Sequence, residues 1–173
     1  MRPVGLPLDQ HQVRTTGSLR IASGRGVLQV ATFESTVTIA RPVEDVYRFF
    51  FEFDKNAGSL GIDSVVKEPE GPTGVGTTFH LRVGSRGGEA ITRFTSIDPN
   101  RKIGFDGKVG PLRPIGAYIF ESVEGGTRLT VRADGNPVGA LKIAAPLVKL
   151  IGKRVWDKRL VRIKTVLETP AGP

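Results

Sequence analysis

Between residues 62 and 134, short alternating segments are separated by turn sequences, and this pattern limits the possible folds more than any other feature of the chain. Two of the turns are Asp98-Pro99-Asn100 and Glu124-Gly125-Gly126, in which Pro and Gly favour a chain reversal. Short segments that are each followed by a turn are typical of antiparallel strands in a meander. The predicted strands are 62–68, 76–84, 88–97, 101–108, 115–123 and 127–134.

Alternation within these strands predicts one apolar face, which would form the core, and one polar face. In most strands the apolar set is clear; on 76–84, for example, Phe79, Leu81 and Val83 alternate with His80 and Arg82. Strand 88–97 leaves two inward sets open: Ala90, Thr92 and Phe94, or Ile91, Arg93 and Thr95.

One strand and one helix precede the meander, and a long helix follows it. Residues 32–40 alternate as a strand, and the next helix has Pro42 at its first position and acidic residues at 44 and 45, where they suit the positive end of the helix dipole. The last helix spans about 139–168, and its two halves carry apolar stripes that are offset around the helix axis. Either this helix bends near Gly152, or its two halves contact different surfaces.

Four stretches occur in the order of a known family: FESTVTIARPVEDVY (33–47), IDPNRKI (97–103), FESVEGGTRLTV (120–131) and, more loosely, residues 164–168. Together they resemble the START-like SRPBCC superfamily, in particular its polyketide cyclase/dehydrase and lipid-transport branch. The resemblance implies an α+β helix-grip fold, in which a curved antiparallel sheet of about seven strands wraps around a long C-terminal helix. Residues 56–61 lack the Trp that family members often carry after the first helix, so we expect a small lid there.

A curved sheet cannot pack flat on a straight helix, so a helix-grip fold leaves an apolar chamber between the two. We expect a hydrophobic small molecule, such as a lipid, a polyketide or an isoprenoid-like compound, to bind in that chamber. For each residue of the lining, an ordinary core role is the alternative. The predicted lining is Phe50, Phe53, Phe79, Leu81, Phe105, Tyr118, Phe120, Leu147 and Ile151.

An enzyme of the polyketide cyclase or dehydratase type is the alternative to a carrier. Its apolar chamber would fold a reactive chain while one or two polar groups move protons. The candidates for proton transfer are Tyr118, Arg93, Asp106 and His80, although no catalytic motif accompanies them and the resemblance implies no universal catalytic residue. No cofactor and no metal site are predicted, because the chain has no cysteine and only two histidines.

The net charge of +8 is concentrated near the two ends of the chain. The basic C-terminal helix suggests an anionic membrane surface as a partner, with Lys149, Lys153 and Arg154 as the contacting bases. An ordinary solvated helix face is the alternative. Nucleic acid is disfavoured as a partner, because no RNP-type aromatic motif, helix-turn-helix pair or zinc-ligand spacing accompanies the bases.

The domain is predicted to span residues 31–168. Residues 1–30 contain several glycines and arginines and no sustained apolar period, so they are predicted to form a flexible basic leader. Residues 169–173 include two prolines and are predicted to be a disordered tail. No apolar run is long enough to span a bilayer, and a chain without cysteine suits a reducing compartment, so we expect a cytoplasmic location.

Overall fold

The computed structural model describes residues 32–84, 88–135 and 145–169. The predicted leader at 1–30 and residues 170–173 of the predicted tail lie outside the described residues. The helices are α1 (Val43–Phe51), α2 (Phe53–Asn56) and α3 (Ala145–Glu168), and a 3-10 turn occupies Ala57–Leu60. The strands are β1 (Thr32–Ile39), β2 (Ser64–Glu68), β3 (Thr78–Val83), β4 (Gly88–Asp98), β5 (Lys102–Val109), β6 (Ile115–Val123) and β7 (Gly126–Asp134).

The seven strands form one antiparallel sheet in the order β1-β7-β6-β5-β4-β3-β2. Strands β2 to β7 are neighbours in chain order, as a meander requires, and β1 pairs with β7. Each strand begins and ends within two residues of its predicted range. The predicted α+β helix-grip fold is therefore confirmed.

The inward face of β4, which the sequence leaves open, carries Ala90, Thr92 and Phe94. The register of the β3–β4 ladder places Thr92 beside the buried Phe79, and Phe94 is itself buried. Arg93 is exposed on the opposite face. The second possible set, which includes Arg93, thus belongs to the outer face of the sheet.

Helix α3 is held on the core by its second half and by Gly152 near its middle. Leu160 and Ile163 are buried, and Gly152 lies so close to β1 that a Cβ placed on it would be 3.0 Å from the ring of Phe33. The first half differs, because its apolar residues Leu150 and Ile151 are exposed. The two halves therefore differ in burial, while a bend near Gly152 or a second surface in contact with the first half stays a prediction. Within the described ranges, no helix combines the length and the apolar character that crossing a membrane would need.

Glycines in β5 and β6 let neighbouring strands approach each other closely. A Cβ at Gly107 would lie 2.2 Å from the backbone oxygen of Ile91 in β4. A Cβ at Gly116 would lie 2.3 Å from the backbone oxygen of Arg132 in β7. Because glycine inside a strand permits close backbone approach and bending, these positions allow the middle of the sheet to curve.

The end of α3 is tied to the connection between β1 and α1. Oε1 of Glu168 accepts the backbone N–H of Ala40 at 2.6 Å and a hydrogen bond from Nζ of Lys164 at 2.6 Å. Nε of Arg41 donates to the backbone oxygen of Leu167 at 2.6 Å. The Ala40 N–H, followed by Lys164, holds the pKa of the Glu168 carboxyl below its ordinary value of 4.5.

Replacing Glu168 with Gln should lower the melting temperature at pH 7, because the charged acceptor of these hydrogen bonds is lost. A lowered folded-state pKa contributes stability that is fully present above the unfolded value and is lost as the pH falls through the folded value. The difference between wild type and Glu168→Gln should therefore shrink as the pH falls below 4.5. Thermal unfolding at pH 7 and pH 3 measures it, with the exposed Glu124→Gln as control. An equal difference at both pH values would show that the carboxylate charge is not responsible.

Candidate functional site

Seven of the nine residues predicted to line a chamber lie together on the inner side of the sheet. Each is at most 9% exposed, and all belong to one hydrophobic cluster. They come from the first two helices and from three strands: Phe50 and Phe53 from α1 and α2, Phe79 and Leu81 from β3, Phe105 from β5, and Tyr118 and Phe120 from β6. Their contact with a ligand stays a prediction.

The aromatic members of this group, here called the inner aromatic cluster, contact one another. The ring centroid of Tyr118 lies 4.6 Å from that of Phe50 and 4.8 Å from that of Phe105. Phe53 and Phe79 are 5.2 Å apart in an edge-to-face arrangement. These separations fall within the range of about 4.5–7 Å that aromatic pairs prefer. The cluster is therefore a packed part of the hydrophobic core.

Trp156 and Arg159 of α3 extend the inner aromatic cluster toward the helix. The indole of Trp156 meets the ring of Tyr118 edge to face, with centroids 5.8 Å apart. Cζ of Arg159 lies 5.0 Å from the centroid of the indole, within cation–π distance. Across the part of the chain that the structure describes, no carboxylate pairs with Arg159 within 4 Å. The half-buried guanidinium of Arg159, which has no carboxylate partner among the described residues, thus lies beside the inner aromatic cluster.

The phenol of Tyr118 is a polar group within the inner aromatic cluster, and the charge of Arg159 acts on it. Burial raises the pKa of Tyr118 to about 12, and the positive charge of Arg159 opposes that rise. The hydroxyl therefore keeps its proton at neutral pH and can donate a hydrogen bond. Together, Tyr118 and Arg159 offer a neutral donor and a cation to a carbonyl or an anion.

Of the four candidates for proton transfer, Tyr118 alone lies on the inner side of the sheet. Nε of Arg93 donates to Oδ1 of Asp106 at 3.1 Å, and its Nη2 pairs with Oδ2 of the same carboxylate, on the outer face. Nε2 of His80 lies 3.3 Å from Oε2 of Glu68, also on the outer face. A molecule bound at the inner aromatic cluster would be separated from these three by the sheet itself.

Leu147 and Ile151 do not join the seven inner residues. They are 56% and 52% exposed, on the side of α3 opposite Leu160 and Ile163. Both side chains therefore lie on the exposed side of α3. This position gives no support to the prediction that they line a chamber.

Two open grooves lie elsewhere on the molecule. One, of about 450 Å³, is on the outer face of the sheet beside Arg93 and Asp106. The other, of about 360 Å³, lies between α1 and the end of α3, beside Arg41 and Leu167. Neither contains any of the seven inner residues. Among the described side chains, no group of three His, Asp or Glu is arranged to hold a metal ion.

Trp156 and Arg159 are not among the residues that the sequence predicts for the site. The spacing of three residues places both on neighbouring positions of one helix face. The sequence does place a basic residue, Arg159, next to the inward apolar stripe of α3. Because this helix has many basic residues, that one position could not be distinguished from the others.

Comparison with known proteins identifies one matching family model and several similar folds. The family model described as polyketide cyclase / dehydrase and lipid transport matches residues 30–168. Among curated proteins, no sequence matches this chain.

Three solved structures illustrate the similarity of fold. The di-domain ARO/CYC StfQ from the steffimycin biosynthetic pathway has a TM-score of 0.68 and 19% identity, over 83% of this chain and 52% of that chain. DynU16 from the dynemicin biosynthetic locus has a TM-score of 0.62 and 17% identity, over 80% of this chain and 48% of that chain. The Polyketide_cyc-like protein Cgl2372 from Corynebacterium glutamicum has a TM-score of 0.53 and 24% identity, over 80% of this chain and 92% of that chain. This chain spans about half the length of the first two.

Proposed function

This chain belongs to the polyketide cyclase/dehydrase and lipid transport family, and we propose that it binds a hydrophobic small molecule with an anionic or carbonyl-bearing end. The ligand class is that of lipids, polyketides and isoprenoid-like compounds. The observation that carries the proposal is the guanidinium of Arg159, which has no carboxylate partner among the described residues and lies over Trp156, the neighbour of Tyr118. StfQ belongs to the steffimycin biosynthetic pathway and DynU16 to the dynemicin biosynthetic locus, and both share the fold, which favours a small-molecule ligand.

The apolar part of the ligand would lie against the rings of Tyr118 and Trp156, with the rest of the inner aromatic cluster behind them. Removing apolar surface from water stabilises such a complex by about 25 cal/mol for each Å² buried. The rings are fixed by their mutual contacts, so they lose little conformational freedom when a ligand binds. This surface therefore favours affinity without strong selectivity among apolar compounds.

The polar end of the ligand would meet Arg159. A guanidinium that is partly removed from water interacts more strongly with an anion than an exposed one does, because screening is weaker. The neutral phenol of Tyr118 would add a hydrogen bond to the same carboxylate, enolate or carbonyl oxygen. These two groups would give the site its preference for one end of the ligand over the other.

Replacing Arg159 with Gln should weaken binding of the anionic probe 1-anilinonaphthalene-8-sulfonate about tenfold or more, since a hydrogen bond to a charged group contributes about 1.5–3 kcal/mol. Binding of the neutral probe Nile red should change less than about twofold, because the apolar surface is kept. Fluorescence titration of both probes measures the two affinities. Arg82→Gln, which removes an exposed charge from β3, is the matched control.

Equal losses for the two probes would mean that Arg159 supports the apolar surface and does not select an anion. A wild-type chain that binds neither probe would overturn the proposal as a whole. Native mass spectrometry of the freshly purified full chain gives a further test, because a co-purified apolar compound of the stated class supports the proposal directly.

A cyclase or dehydratase activity on the same surface is the second candidate function. The neutral phenol of Tyr118 together with the cationic Arg159 favours it, because a hydrogen-bond donor and a positive charge can stabilise an enolate. The two candidates differ in whether the bound compound leaves with an altered mass, and mass spectrometry of the released compound distinguishes them. The cytoplasmic location stays a prediction.

A further inference from the structure

Helix α3 carries an exposed apolar stripe along one side. Of the nine large apolar side chains that are exposed among the described residues, five belong to it. With about 3.6 residues per turn, they share the side opposite the buried Leu160 and Ile163. Scattered exposed apolar residues are ordinary on protein surfaces, but five on one helix side form a patch. The members of the exposed stripe, each 47–61% exposed, are Leu147, Leu150, Ile151, Val155 and Val161.

Two exposed cations lie within the same stripe. Arg154 and Lys158 follow Leu147 by seven and eleven residues, which places them on the same side of the helix. In the ranges that the structure covers, neither has a carboxylate within 4 Å, whereas the adjacent Lys153 pairs with Asp157 at 2.8 Å. The stripe is therefore both apolar and positively charged.

The fold does not need this stripe, since α3 is fixed from its other side. Gly152 lies against Phe33, and Leu160 and Ile163 are buried in the core. Leaving four or more large apolar side chains in water is unfavourable, so a surface of this kind marks an interaction site.

We propose that this stripe docks on the surface of a membrane rich in anionic lipids, with α3 lying flat in the headgroup region. The apolar side chains would enter the boundary of the acyl chains. The long side chains of Arg154 and Lys158 would extend to the lipid phosphates while their methylene groups stay in the apolar layer. Of the three bases that the sequence predicts for such a contact, Arg154 is in the stripe, Lys153 is paired with Asp157, and the side chain of Lys149 lies outside the described residues.

Charge favours a lipid surface over two other occupants. A second copy of this chain packed stripe to stripe would bring Arg154 and Lys158 against the same cations of its partner. A nucleic acid would pair with the two cations but would place five apolar side chains against phosphates. An anionic bilayer satisfies the apolar residues and the cations together.

The test is co-sedimentation of the full chain with vesicles of phosphatidylcholine alone and with added phosphatidylglycerol. We expect binding to the anionic vesicles that weakens as salt is added, since the Debye length shortens. The double variant Arg154→Gln/Lys158→Gln should bind about 30-fold more weakly, from a contribution of about 1 kcal/mol for each base. The double variant Leu147→Gln/Ile151→Gln should also lose binding. The control Arg82→Gln/Lys102→Gln removes the same charge from exposed positions in the sheet and should bind as the wild type does.

Four results would overturn the docking proposal. The first is a wild-type chain that does not bind anionic vesicles. The second is an equal loss of vesicle binding in the stripe variants and in the control variant. The third is a dimer in sedimentation that Leu147→Gln/Ile151→Gln abolishes, which would assign the stripe to a second copy. The fourth is salt-sensitive binding to duplex DNA without binding to vesicles. Because all substituted side chains are exposed, unchanged melting temperatures would show that the variants are folded.

Discussion

Replacing Phe79 with Ala should lower the free energy of unfolding by about 3–5 kcal/mol. The side chain of Phe79 is fully buried, and its ring contacts those of Phe53 and Phe94 with centroids 5.2 and 5.0 Å apart. Truncation removes these contacts and leaves a cavity that the neighbouring rings can fill only in part. Denaturant unfolding measures the change, with an unchanged slope showing that the transition itself is the same.

Val75→Ala is the matched control for this truncation, because Val75 is exposed just before β3 and should change stability by less than about 0.5 kcal/mol. A cost below about 1 kcal/mol for Phe79→Ala would indicate that Phe79 borders open space. That result would move the ligand-binding surface from Tyr118 and Trp156 toward β3.

Replacing Gly116 with Ala should destabilise the protein by at least about 2 kcal/mol, because overpacking forces the backbone to move. The new Cβ would lie 2.3 Å from the backbone oxygen of Arg132 and 2.7 Å from Cβ of Ala133. Neither atom belongs to a flexible side-chain end, so β6 and β7 would have to separate. Thermal and denaturant unfolding would both show the loss.

Gly58→Ala is the matched substitution in open space. No heavy atom lies within 4 Å of a Cβ at Gly58, and neither Gly58 nor Gly116 has a left-handed backbone. We expect Gly58→Ala to change stability by less than about 1 kcal/mol in either direction. Similar costs at the two positions would show that the close approach of β6 and β7 does not limit stability.

The strands could be predicted because their signals are local. Turn residues such as Pro99 and Gly125 fix where each strand ends, and alternation fixes which residues share a face. Which face of β4 points to the core could not be predicted, because both of its faces carry apolar and polar residues. It is decided by pairing with β3, which places Thr92 beside Phe79.

The same limit explains which site residues were predicted. Alternation placed Phe79, Phe105 and Tyr118 on the inner face correctly, since the period of a strand leaves two choices. A helix offers a continuous range of orientations, so the pattern could not show that Ile151 faces outward or that Arg159 lies by the core. That orientation depends on the contact between α3 and β1, more than 100 residues earlier in the chain.

The pairing of β1 with β7 has a consequence for the order of events during synthesis. Thr32 pairs with Asp134, so β1 leaves the ribosome well before its partner β7. Strands β2 to β6 can form successive hairpins in the meantime, because their partners are adjacent in the chain. Contacts between residues that are far apart in the sequence form more slowly than local contacts do. The apolar side chains of β1 therefore stay without their β7 partners while the strands in between are made, and unpaired strands of this kind are exposed to aggregation and to chaperone capture.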